Sequence, residues 1–307
     1  MDKTKIIGTL CILGTTFCYG LVPSLSFLSF EQGVATETLL FDKFLYATVA
    51  IWTYILIKKI DVKLSRSAGG IMVVVALAYV GIATTLYFSF NYISGSLATI
   101  ISFTFPVMVL IIEMIRGTEK VRATGIIAVL ISMGGMLLIV YGPGIKPNTM
   151  GILFALGTAV CYTIYILGLA SKPLKESNSV VVAGYVLLAS AIFNFFRCLI
   201  SGEPFFAMRM TQLALMLTLA LVCAFAAILL NCIGVKLIGS VRSSIINTFE
   251  PVVACVFGYL LIGDDITRNM IIGAILIMAA VLITNMPSSS TSVNNTHAVD
   301  DDPQNAP

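Results

Sequence analysis

Between Ser67 and Ile112 the chain runs for 46 residues without one charged side chain. A helix needs only about 20 apolar residues to cross the hydrocarbon core of a bilayer. The stretch is therefore too long for one span and too apolar to face water. Asn91-Tyr92-Ile93-Ser94-Gly95-Ser96 offers polar residues and a glycine where a tight turn divides it. Similar runs recur along the chain. Together they predict an all-α integral membrane fold with ten transmembrane helices, near 6–26, 36–57, 69–91, 94–115, 122–141, 149–170, 178–200, 210–235, 239–261 and 268–286.

Composition agrees: 11% of the residues are charged, against roughly 25% in soluble domains. The net charge of +3 is too small and too dispersed for a nucleic-acid surface. Lys3 and Lys5 precede an apolar run as in a signal peptide, but no clear small-x-small cleavage site follows and the run recurs later as an internal span, so it is read as the first helix. Residues 287–307, rich in Ser, Asn, Asp and Pro, are expected to form a disordered tail.

Basic residues set the orientation. With a cytoplasmic N-terminus, Lys146, Arg209 and Arg268 fall outside, Lys43 and Arg197 fall within spans, and the other 13 of the 18 Lys and Arg residues fall inside. This places both termini in the cytoplasm.

The two halves resemble each other. Gly8–Tyr19 aligns without a gap on Gly151–Tyr162, with identities at Gly8/Gly151, Leu10/Leu153, Leu13/Leu156, Gly14/Gly157, Thr15/Thr158, Cys18/Cys161 and Tyr19/Tyr162. At an offset of 145, Ile100-Ile101 meets Ile245-Ile246, Pro106 meets Pro251 and Met133 meets Met278. The reading is two five-helix repeats, 1–145 and 146–286. Because five is odd, the second repeat starts on the opposite face, and inverted repeats of this kind support alternating access.

The repeat pair, the ten spans and two segments resemble the EamA family of the drug/metabolite transporter superfamily. The segments are Ser96–Pro106 with the following Arg116-Gly117-Thr118-Glu119, and Ser240–Pro251 with Gly263-Asp264-Asp265. The family's acidic residue after a glycine is Glu119 in the first half and is replaced by Asp264 or Asp265 in the second. The resemblance implies a metabolite exporter, with amino acids or related compounds as substrates, and leaves the substrate unspecified.

Glu250 lies mid-span, immediately before Pro251. A carboxylate at the bilayer centre costs some ~2.5–3.5 kcal/mol on insertion scales, so it is expected to face a wet cavity or a basic partner. It reads as a proton-coupling group or a seat for a substrate ammonium; the alternative is a carboxylate that only ties helices together. Pro106 and Pro251 lack the amide hydrogen that would bond the carbonyls of Ser102 and Asn247, so both are read as helix kinks. Ser102, Thr104 and Asn247 are the polar neighbours of these kinks.

Lys43 either snorkels or pairs with Asp42, or else it reaches the cavity, where with Glu250 it suits a zwitterion. The resemblance bears on the last, since family members often carry a basic residue near this place, and leaves both readings open. Tyr19, Tyr79, Tyr87, Asn91 and Tyr162 are pathway candidates, although aromatics in spans are more often packing or interface residues. Gly134-Gly135 and the Ala155/Ala159 pair read as close helix contacts.

The seven cysteines form no CxxC pair and read as packing residues. The only histidine, His297, lies in the tail. No catalytic group, metal site or cofactor is expected, and the absence of GxxxxGK[ST] argues against direct ATP driving. The expected partners are a small-molecule substrate, a proton and membrane lipid, with a monomer or homodimer in a bacterial cytoplasmic (inner) membrane. A channel or receptor is the main competing class, and a membrane-embedded enzyme a more distant one.

Overall fold

The computed structural model describes residues 3–90, 92–93, 98, 101–117, 123–140, 148–206, 209–263 and 267–285, without the side chains at positions 87, 90, 139, 140, 284 and 285. Most of the described residues are helical, and none lies in a strand. The helices are α1 (Lys3–Gly20), α2 (Val22–Glu31), α3 (Thr36–Ile57), α4 (Arg66–Phe90), α5 (Phe105–Arg116), α6 (Ala123–Val140) and α7 (Thr149–Leu169). They continue with α8 (Lys172–Glu176), α9 (Ser179–Ser201), α10 (Met210–Ala220), a π-helical segment (Leu221–Ala226), α11 (Ala227–Ile238), α12 (Ser240–Asn247), α13 (Glu250–Leu261) and α14 (Arg268–Asn285).

In lipid, backbone polar groups have to be satisfied within the protein, which selects helices. Seven described stretches are long and apolar enough to cross a membrane: Lys3–Glu31, Thr36–Ile57, Arg66–Leu86, Thr149–Leu169, Ser179–Ser201, Met210–Ile238 and Ser240–Leu261. Shorter apolar helices cover Ala123–Leu138 and Arg268–Ile283, and α5 is the later part of the fourth expected span. Hydroxyls inside the spans bond back to carbonyls one turn earlier, as at Thr48, Thr163 and Ser190. Helix starts are capped by Asn148 and Asn178, whose side chains accept from backbone amides. Large apolar side chains such as Leu56, Ile115 and Ile200 stand outward, giving the molecule a greasy exterior suited to lipid.

Two features depart from the expected spans. The first span is broken at Leu21, between α1 and α2, with Pro23 in the first turn of α2. The eighth contains the π-helical turn Leu221–Ala226, a single-turn widening of the helix.

The helices pack in pairs that exchange the two halves. The pairing of α4 with α7 has its counterpart in α11 with α1, while α3 with α9 and α6 with α14 are their own counterparts. Matched glycines explain the first correspondence. Gly8 abuts Ile238, and its repeat partner Gly151 abuts Ile93. Gly14 abuts Leu230, and its partner Gly157 abuts Thr85. Both contacted residues are themselves separated by the offset of 145, so the internal sequence likeness encodes one helix crossing used twice.

The α6–α14 crossing depends on Gly135. A Cβ there would lie 2.6 Å from the Gly273 carbonyl oxygen, a backbone atom that cannot swing aside, whereas one at Gly134 meets nothing within 4 Å. Overpacking of this kind costs about 1–3 kcal/mol. Gly135→Ala should therefore lower the melting temperature of detergent-purified protein, and Gly134→Ala should leave it unchanged.

Candidate functional site

The fourth and ninth expected spans both break, just before α5 and just before α13, and they break identically. In the fourth, Thr104 N–H donates to the Ile101 carbonyl, and Val107 and Met108 both donate to Thr104. In the ninth, Phe249 donates to Ile246, and Val252 and Val253 both donate to Phe249. Every atom pair shifts by 145 residues. Pro106 and Pro251 occupy the first turns of α5 and α13, where a missing amide hydrogen is tolerated. The prolines thus start new helices beyond a short tight turn, leaving the Ser102 and Asn247 carbonyls without the amide an unbroken helix would offer.

Glu250 is the first residue of α13. It is hemmed in by protein yet half-buried rather than sealed, so its carboxylate borders an interior space. Lys43, on α3, is buried, and its ammonium is held within electrostatic reach of Glu250 without closing to an ion pair. It lies 5.3 Å from the Phe44 ring centroid and near the Cys223 thiol. It neither snorkels nor turns toward Asp42, which is buried beside Tyr46 and Cys198. The two groups, one from each half of the chain, thus stand within electrostatic reach of each other.

Tyrosines line the same interior. The Tyr19 and Tyr79 hydroxyls are 3.5 Å apart, and the Tyr79 ring lies 5.1 Å from Tyr165. Tyr162 stacks on Phe105 at 4.1 Å, and both Tyr79 and Tyr162 sense the charge on Glu250. Tyr19, Tyr79 and Tyr162 remain half-buried although protein surrounds them, as expected of residues bordering a shared interior space.

Of the residues chosen from sequence, Tyr19, Lys43, Tyr79, Tyr162 and Glu250 come together here. Ser102 and Thr104 do not present free hydroxyls to the group: Ser102 donates to the Ala98 carbonyl at 2.7 Å, and Thr104 to that of Ile101 at 2.7 Å. Asn247 is buried just before the break. Asn91, the Tyr87 side chain, Glu119, Asp264, Asp265 and the tail lie outside the described residues.

Sequence reading missed several participants. Tyr165 stands one helical turn after Tyr162, which was a usable signal; its hydroxyl lies beside the Cys232 thiol. Phe105 forms an aromatic wall against Tyr162. Charged side chains join the halves at two further places. Arg197 pairs with Glu37 at 3.0 Å, and Ser240 donates to buried Glu113 at 3.0 Å. Glu113 was overlooked because it falls at a span end beside Arg116, where a charge is unremarkable.

Residues 6–141 and 149–286 each match the pattern of the EamA-like transporter family. The chain belongs to the EamA-like transporter family. A protein of Clostridium kluyveri described as an uncharacterized transporter is 24% identical over 249 residues, covering 74% of this chain and 76% of that one. A solved crystal structure shares the fold with a TM-score of 0.80 at 15% identity, covering 91% of this chain and 96% of the other. This EamA-like chain is accordingly a multi-pass membrane transporter, and its two family matches fall on the two halves that the sequence repeat relates.

The Ser240–Glu113 contact generates a prediction. A hydrogen bond to a charged group contributes about 1.5–3 kcal/mol. Glu113→Leu should lower the melting temperature of this EamA-like protein by several degrees, while Glu113→Gln, which keeps an acceptor oxygen, should lower it less.

Proposed function

We propose that this chain is a secondary exporter of small zwitterionic metabolites, amino acids or close relatives, working by alternating access around an interior site between two inverted repeats, 1–145 and 146–286. In this reading ten spans cross a bacterial cytoplasmic membrane with both termini inside, and residues 287–307 form a tail.

The observation that carries the reading is the opposed pair Lys43 and Glu250, near enough to attract and too far apart to pair. Charges left unpaired within the span of a membrane protein are costly. A zwitterion entering between them relieves both, its carboxylate toward Lys43 and its ammonium toward Glu250. Tyr19, Tyr79 and Tyr162 supply hydroxyls and ring faces around it.

Lys43 belongs to one half and Glu250 to the other, so a rocking of the halves alters the spacing of the charges. The Glu37–Arg197 and Glu113–Ser240 contacts also join the halves. They stand at opposite ends of the molecule in the proposed topology, and each opens as the other closes. Glu250 also exchanges protons: loaded from outside and emptied inside, it couples the inward proton gradient to outward substrate flow.

Glu250→Gln should abolish the pH dependence of amino-acid uptake into proteoliposomes, and unaltered pH dependence would remove Glu250 from coupling. Lys43→Met should raise the KM by at least about tenfold, the consequence of losing one charged contact worth some 1.5–3 kcal/mol. Accessibility labelling should place cysteines at Gly117 and Gly263 on opposite sides of the membrane; the same side would end the inverted topology.

A further inference from the structure

The second half holds a set of polar side chains that the charge pair does not explain. Asn231 on α11 is fully buried, and neither its Oδ1 nor its Nδ2 has a hydrogen-bond partner. Asn247 on α12, buried, leaves both side-chain atoms equally unpaired, and the Ser243 hydroxyl, fully buried, is unpaired as well. Buried polar groups without partners carry a standing free-energy cost. Here five such atoms occur on two consecutive helices.

Their placement makes them one group. Ser243 and Asn247 are four residues apart on α12 and share a face. Asn231 and Asn247 each stand eight residues from Gly239, the turn between α11 and α12. At 1.5 Å per residue each lies about 12 Å along its helix from that turn. On α11, Ala227 and Gly234 face α1 through Thr15 and Ile12, while Cys232 faces α7 through Tyr165. Asn231 projects between those two faces, and α12 packs against α1, α7 and α11 alike. Tyr165 continues through Tyr79 to Tyr19, linking this level to the charge pair.

The donor and acceptor balance defines what belongs there. A cation would satisfy the amide oxygens and leave both Nδ2 groups unpaired, and an anion would do the reverse. Only an uncharged group that donates and accepts at once satisfies both, and this holds whichever way either amide is turned. The first half offers no equivalent. At the positions 145 residues earlier stand Leu86, Ala98 and Ser102, the last already bonded to the Ala98 carbonyl. The feature is therefore not a requirement of the shared fold.

We infer that Asn231, Ser243 and Asn247 form a subsite for an uncharged hydrogen-bonding group of the substrate, a carboxamide foremost. The inference rests on the zwitterion reading above and specifies it: the transported amino acid is one whose side chain ends in an amide. The Lys43 and Glu250 charges hold its backbone groups, and the asparagines hold its side chain.

Asparagine and leucine have nearly the same shape and differ in the amide, so they are the probes. Sites built to hydrogen-bond a substrate group discriminate strongly against analogues lacking it. In proteoliposomes the wild-type KM for asparagine should be at least about tenfold below that for leucine. Asn231→Leu and Asn247→Leu should each bring that ratio toward one. The melting temperature of each variant should be unchanged or raised, because an unpaired buried amide is being replaced by an apolar side chain of similar volume.

Equal KM values for the two amino acids in the wild type, or a ratio that survives both substitutions, would overturn the subsite while leaving zwitterion transport standing. A clear fall in melting temperature would also overturn it, since the amides would then be holding helices through ordered water. Uptake of neither amino acid by the wild type would sink the zwitterion reading and the subsite with it.

Discussion

A helix in lipid has no water to repair a broken backbone bond, and the rest of this structure depends on that constraint. Breaks are tolerable only where protein or an enclosed polar space surrounds them. This chain places two of its proline breaks, those before α5 and α13, at equivalent residues, each closed by the same three tight backbone bonds. The two helices that meet at Glu250, α12 and α13, both pack against α1, α6 and α14. Both breaks border the group described above: Glu250 opens the helix beyond one, and Phe105, on which Tyr162 stacks, opens the helix beyond the other.

Much of this was legible in the sequence, and for identifiable reasons. Uninterrupted apolar runs located the helices because few other structures can accommodate them. The paired glycines of the first and sixth spans exposed the repeat because each must meet a neighbouring helix closely, Gly8 at Ile238 and Gly151 at Ile93. Pro106 and Pro251 announced the breaks because proline removes a backbone donor regardless of context.

What remained hidden had no local signature. Leu221–Ala226 is as apolar as its flanks, so nothing in it distinguishes a π turn from an α turn. Gly20 and Pro23 were read through as a continuous span, although Gly20 is also where α1 comes closest to Val253 of α13. The direction of Lys43 was open because a helix apolar on all sides does not say which side faces the interior. Only its neighbours, Cys223 and Glu250, decide that.

The symmetry of the two halves and the chemistry of the site pull in opposite directions. The packing pairs, the matched glycine contacts and the breaks before α5 and α13 follow the repeat. The charged and amide-bearing residues do not. Glu250 stands where the first half has Phe105, Asn231 where it has Leu86, and Asn247 where it has Ser102. Phe105 and Glu250 show what the difference achieves: one builds an aromatic wall by stacking on Tyr162, while the other presents a carboxylate to the same interior. A repeat kept strictly symmetric would place like charges against each other across the pseudo-axis and repel itself. Departure from symmetry at these few positions gives a duplicated scaffold an asymmetric interior, while the duplicated crossings repeat one packing in both halves.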